Sequence, residues 1–239
     1  MSDLLDLAIE AHGGWARWEK INQLSVGYTA TGITDLKGWQ GVFLDVRVTV
    51  DAHHQRSGIA PFVDSDQLGI FEPTHTRVIS QEAGGIIDER FAPRKAFAGH
   101  GLTTPWDRQN LLYFAGYALW TYLTTPFLFK MEGFRSQEIE PWEEDGQLWR
   151  RLKVTFPAVI ESHSAEQIFY FDETGILQRH DYSADVLGGT SSANYATDPK
   201  VFDGIVIPTK RRVYAKGADN RPILDRVAVS IDIHDVSVK

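Results

Sequence analysis

The spacing of apolar and polar positions changes several times along the chain, and each change marks an element. From Ser2 to Leu24 the spacing is helical: Leu4, Leu5, Ala8 and Ile9 share one face until Gly13 and Gly14 interrupt it. Ser2 is placed to cap this run. "WARWEKI" then sets Trp15, Trp18 and Ile21 three apart, a second short helical turn. After Asn22 the period falls to two. "LSVGYTATGI", "GVFLDVRVTVD" and "HTRVISQE" alternate and are rich in Val, Thr, Tyr and Phe, which predicts strands. Alternation resumes in "LWRRLKVTFP", "EQIFYFDETGILQRHDYSAD", "GIVIPTKRRVYAK" and "LDRVAVSIDIHDV", with "DETG" and "KGADNRPI" as connecting turns between antiparallel neighbours.

One segment breaks the pattern. Between Gln109 and Phe129 there is no ionisable acid or base, and "LLYFAGYALWTYL" is almost wholly apolar. Pro105 and Pro126 bound a helix here, and Asp107 near its start suits the helix dipole. The run approaches the ~20 residues of a membrane span. Gly116, the threonines before Pro126 and the lack of flanking Lys or Arg clusters argue against one. A helix apolar on all sides must instead be enclosed on all sides. Leu112, Gly116, Leu119 and Leu123 form an aliphatic stripe fit to pack on a sheet. Tyr113, Tyr117 and Trp120 form an aromatic stripe with polar handles, fit to line a pocket.

Composition narrows the classes. The absence of cysteine excludes disulfides, thiolate metal sites and cysteine nucleophiles. A net charge of -8 lacks the basic face that sequence-independent nucleic-acid binding needs, so "TKRRVYAK" reads as the solvated face of a strand. The acidic start "MSDLLDL" is unlike a secretory signal, and a cytoplasmic location is expected. With no linker, composition shift or repeat, residues 1–239 read as one domain.

Candidate chemistry is sparse. His180 and Asp181 are adjacent in "QRHDYSAD", but neighbours on a strand face opposite ways, so only His180 and Tyr182 could share a site. His12 sits where an imidazolium would complement a helix C-terminus. His53 and His54 diverge on a strand and lack a third ligand at metal spacing, so no metal is expected. No nucleotide loop or hydrolase elbow is present, and no cofactor is expected.

Over most of its length the chain resembles the superfamily of lipoprotein carriers and lipid-binding proteins known as LolA, LolB and LppX, particularly the wider LolA-like group. The resemblance rests on "AHGGWARWEKI", "YFAGYALWTYLTTPFLF", "YFDETGILQRHDY" and "VFDGIVIPTKRRVY", in that order. It implies a mainly β fold, an incomplete antiparallel half-barrel whose concave apolar face is covered by helices and takes acyl chains. The chain departs from the carriers in lacking a signal-like start and a lipoprotein cysteine, so lipoprotein carriage is not expected. The expected partner is a lipid or other apolar small molecule, held by Trp106, Tyr113, Phe114, Tyr117, Trp120 and Phe127. The alternative is an enzyme acting on an apolar substrate there, with His180, Tyr182, Tyr113 and Tyr117 as its polar groups.

Overall fold

The computed structural model describes residues 3–225 and 227–239. Helices α1 (Asp3–Ala11) and α2 (Trp15–Trp18) open the chain. They are followed by β1 (Gln23–Gly32), the single turn α3 (Ile33–Leu36), β2 (Phe43–Asp51), β3 (Ser57–Ala60), β4 (Gln67–Glu72), β5 (His75–Ser80) and β6 (Ile86–Phe91). A 3-10 turn (Pro93–Phe97) leads to α4 (Arg108–Thr124), and another (Phe127–Lys130) leads away from it. The remaining strands are β7 (Arg135–Glu144), β8 (Gln147–Thr155), β9 (Glu166–Phe171), β10 (Leu177–Ala184), β11 (Thr190–Phe202), β12 (Ile205–Lys216), β13 (Pro222–Ile223) and β14 (Val229–Val238).

The N-terminal helical region is shorter than its spacing suggests. The chain turns after Trp18 and β1 begins at Gln23, while the expected cap at Ser2 lies outside the described residues. Leu4, Leu5, Ala8 and Ile9 are buried as their spacing requires. His12 does not act as an imidazolium. It is fully buried, its Nδ1 pairs with the Ala8 carbonyl at 2.7 Å, and burial pushes its pKa down to about 4. A neutral ring therefore caps the last turn of α1.

All the strands join one antiparallel sheet of 14 strands in the order β6-β5-β4-β3-β2-β1-β14-β12-β11-β10-β9-β8-β7, with the short β13 on β12. Two meanders, β1 to β6 and β7 to β12, meet in the middle through β14. The edge strands β6 and β7 are therefore consecutive in sequence, and the segment joining them carries α4 from one edge to the other across a face of the sheet. Such a crossing segment is covered along its path, which is why it can be apolar on every side.

The sheet is open but strongly curved. A Cβ added at Gly116 of α4 would lie 2.4 Å from Phe71 of β4, and the Tyr122 hydroxyl of α4 lies 3.1 Å from that of Tyr182 on β10. These two helix residues are only about 9 Å apart along the axis. On a flat sheet β4 and β10, seven spacings apart in the strand order, would be separated by about 34 Å. Both contacts exist because the sheet wraps around the helix. No helix among the described residues is long and apolar enough to cross a membrane.

Candidate functional site

Helix α4 is fixed at both ends by its own sequence. Asp107 caps it by accepting from the Asn110 amide at 2.8 Å, and the Asn110 side chain accepts from the Asp107 amide at 3.3 Å. At the far end the Thr124 and Thr125 hydroxyls each donate at 2.8 Å to carbonyls of the last turn, those of Trp120 and Thr121. Every residue from Gln109 to Phe129 is buried. Gly116 lets the backbone press against Phe71, and its carbonyl accepts from Ser57 Oγ at 3.2 Å.

Between α4 and the β10, β12 and β14 region lies an apolar cavity of about 210 Å³. Phe114 forms its helix side, Tyr182, Val213 and Val229 its sheet side, and half-exposed Leu102 and Ile223 its mouth. A deeper compartment of about 50 Å³ continues under α4 past Ala115, Ala118, Leu119 and Tyr122. Ile33, Phe114, Tyr182 and Val229 line both. The mouth segment is pinned by Lys37, whose Nζ donates to the carbonyls of Gly101, Leu102 and Thr104 at 2.8, 2.7 and 2.9 Å.

The six residues expected to hold a ligand are scattered. Phe114 lines both compartments. Trp106 packs beside it, with ring centroids 4.8 Å apart, below the Lys37 ammonium. Tyr113 points the other way, to Arg94 and Glu161, and burial together with Glu161 raises its pKa. Tyr117 reaches His163 Nδ1 at 3.1 Å. Trp120 donates to the Asp51 carbonyl at 2.9 Å, and Phe127 stacks on Trp18 at 4.2 Å. The two helix stripes thus exchange parts of their expected roles: Leu112 and Gly116 face the sheet at β4, but Leu119 borders the cavity and Trp120 is packed core.

Behind Phe114 lies a buried polar cluster that spacing alone did not reveal. Its hub is His163, from the loop between β8 and β9. The Tyr117 and Tyr122 hydroxyls meet its Nδ1 and Nε2 at 3.1 and 2.9 Å, and the Tyr182 ring stacks on it at 3.8 Å. Burial pushes the His163 pKa down to about 3, so the ring is neutral and has one N–H to give. When that proton is on Nε2, it donates to Tyr122, Tyr122 donates to Tyr182, and the Tyr182 O–H is free toward the cavity. His180 shares this face with Tyr182, bonding Gln167 at 2.5 Å and stacking on Phe169 at 4.1 Å. Asp181 points to the opposite face, as strand geometry requires, and joins Arg179, Lys216 and Tyr170.

The basic run "TKRRVYAK" is not wholly solvated. Lys210 is exposed and Arg212 pairs with Asp232 on the outer face, but Arg211 between them points inward and is 3% exposed. It is opposite Ala196 on β11 and Ile231 on β14. Its guanidinium lies 4.5 Å from the Tyr122 ring centroid, and its Nη2 donates to the Tyr122 carbonyl at 3.2 Å. Among the described residues no carboxylate pairs with it, and burial lowers its pKa to about 10.

Three solved structures share this architecture. A LolA superfamily protein from Nitrosomonas europaea matches with a TM-score of 0.54 at 10% identity, covering 99% of this chain and 92% of its own. The chain has a LolA-like fold. A domain from Vibrio parahaemolyticus, named for outer membrane lipoprotein sorting, gives 0.56 at 10% identity over 98% and 92%. A DUF1329 family protein from Desulfovibrio piger gives 0.53 at 13% identity over 99% and 92%. No protein-family model and no curated protein matches the sequence.

Proposed function

We propose that this protein binds and shields a lipid, an acyl chain or another apolar small molecule in the cavity between α4 and the sheet. The observation that carries the reading is the cavity itself: its walls are Phe114, Val213, Val229 and Ile33, and its mouth is rimmed by exposed Leu36, Leu102 and Ile223. Each methylene moved from water into such a space contributes about 0.8 kcal/mol, so a short chain needs no ionic contact to be held. The LolA-like fold supports the reading, since one of its structural neighbours is named for lipoprotein sorting.

The polar groups of the enzymatic alternative favour holding over chemistry. Burial lowers the pKa of His180 and raises those of Tyr117 and Tyr182, and it also lowers that of His163, which joins them in the fold, so none of them is charged near neutrality. Tyr113 lies apart at Arg94 and Glu161. Native mass spectrometry of the purified protein tests the reading, followed by solvent extraction. A stoichiometric apolar passenger, or saturable uptake of an added one, is the expected result. A protein that neither carries nor takes up any apolar molecule contradicts it.

A further inference from the structure

Two inward-facing side chains beside the cavity have hydrogen-bonding capacity that the protein does not use. Arg211 is 3% exposed and Asn194 is fully buried. Of the five N–H groups an arginine carries, Nη2 reaches the Tyr122 carbonyl, while Nη1 is buried without a partner. The C-terminal end of α4 balances part of the charge through its carbonyl dipoles. Asn194 lies close to the Tyr122 hydroxyl without forming a well-shaped bond to it, and both its amide atoms are unpaired. Buried polar groups are nearly always paired, so two adjacent exceptions call for a missing partner.

Strand register places both residues on the sheet face that carries the cavity, next to side chains that line it. Asn194 is opposite Val213, which lines the main cavity, and Arg211 is two residues along β12 on the same face. Arg211 is also opposite Ile231, which lines the deeper compartment, and lies under Tyr122, which lines it too. Its other neighbour in register is the small residue Ala196. The unused groups are cationic N–H donors, the Asn194 amide N–H donors with that amide's own carbonyl acceptor and, in one His163 tautomer, the Tyr182 O–H, so donors outnumber acceptors. This set fits an anion with two acceptor oxygens, and the apolar space beyond it fits a tail.

We infer that Arg211 and Asn194 hold the carboxylate of a monocarboxylic acid whose alkyl chain occupies the cavity toward Leu102 and Ile223. The inference rests on the reading that the cavity takes an apolar molecule, and it adds the headgroup and the direction of binding. Arg211 supplies charge-assisted hydrogen bonds, Asn194 donates a further one, and the head enters first.

Calorimetric titration with decanoate and with decan-1-ol, at a pH where decanoic acid is ionised, separates the two claims. The wild-type protein is expected to bind decanoate about tenfold or more tightly than decan-1-ol, the gain of charge-assisted over neutral hydrogen bonding. Arg211→Met and Asn194→Leu are expected to lose most of that preference while keeping their affinity for the alcohol. Equal binding of the two ligands by the wild type overturns the headgroup assignment and leaves the cavity reading standing. Binding of neither overturns both. A preference kept by both variants overturns the assignment as well. Should Arg211→Met fail to fold, Asn194→Leu carries the test, since it leaves the bond between Arg211 and the Tyr122 carbonyl in place.

Discussion

Gly116 and Phe71 touch so closely that no other residue fits at position 116: a Cβ there would lie 2.4 Å from both Cβ and Cγ of Phe71. That contact sets the depth at which α4 is seated in the sheet. Gly116→Ala gains up to ~1 kcal/mol of helix propensity and should still destabilise the protein by a net ~1–3 kcal/mol through overpacking. Urea unfolding measures the loss, and Phe71→Leu in the same chain should recover part of it. If Gly116→Ala is neutral or stabilising, the close seating is wrong.

Trp120 and Leu119 are neighbours on α4 with different surroundings. Trp120 is fully buried and bonded to the Asp51 carbonyl, so Trp120→Ala should lose stability within the ~3–5 kcal/mol of a packed aromatic. Leu119→Ala widens an existing compartment and should fall at the low end of the ~2–5 kcal/mol range. Only the Leu119 change should alter binding of an environment-sensitive apolar probe. Unfolding and probe titration of the pair decide it, and a probe effect confined to Trp120→Ala would contradict the placement of the cavity.

Buried neutral histidines make stability depend on pH with a definite sign. His163 and His12 have folded pKa values pushed by burial from 6.5 down to about 3 and about 4. Below pH 6.5 the unfolded chain binds protons that the fold refuses, so stability falls as pH drops from about 6.5 toward 4 and is unaffected by these groups above 6.5. Each contributes up to about 1.4 kcal/mol per pH unit in that window. Denaturant midpoints across pH 4 to 8 should show the decline, with a shallower slope in His163→Gln. An unchanged slope in that variant would mean the ring is already protonated in the fold.

Lys37 ties down the cavity mouth by donating to three carbonyls. Lys37→Met keeps the apolar arm over Trp106 and removes those bonds. Amide exchange in residues 101–104 should rise, and a bound apolar probe should exchange faster, while exchange in the sheet core stays the same. Exchange rates unaltered in that segment would show that other contacts hold it.

Much of this was legible in the chain because burial imposes a period. The alternation in β1, β2, β5, β8, β9, β10, β12 and β14 reflects one core-facing and one outward side. The edge strands β6 and β7 did not stand out, since both their faces are partly exposed and "IIDERF" and "RSQEIEPWEE" show little apolar alternation. In β11 the inward positions are Ser192, Asn194 and Ala196, small or polar where a core strand usually shows large apolar residues. The LolA-like fold was visible in the order of its segments. The cavity walls were not: an all-apolar helix carries no signal of which face meets a void, and Tyr117 and Trp120 use their polar handles inside the core. Arg211 was hidden by exposed Lys210 and by Arg212, because a basic triplet on a strand reads as surface until the register shows its middle residue pointing in.

The central claim is that an apolar molecule lies between α4 and the β12 to β14 region, and methyl NMR during titration with decan-1-ol tests it most directly. Saturable shifts should concentrate on Ile33, Leu119, Val213 and Val229, and leave Val48 and Val50, buried in β2 away from the cavity, unmoved. Shifts confined to exposed Val159 or Val201, or no saturable shift at all, would contradict it.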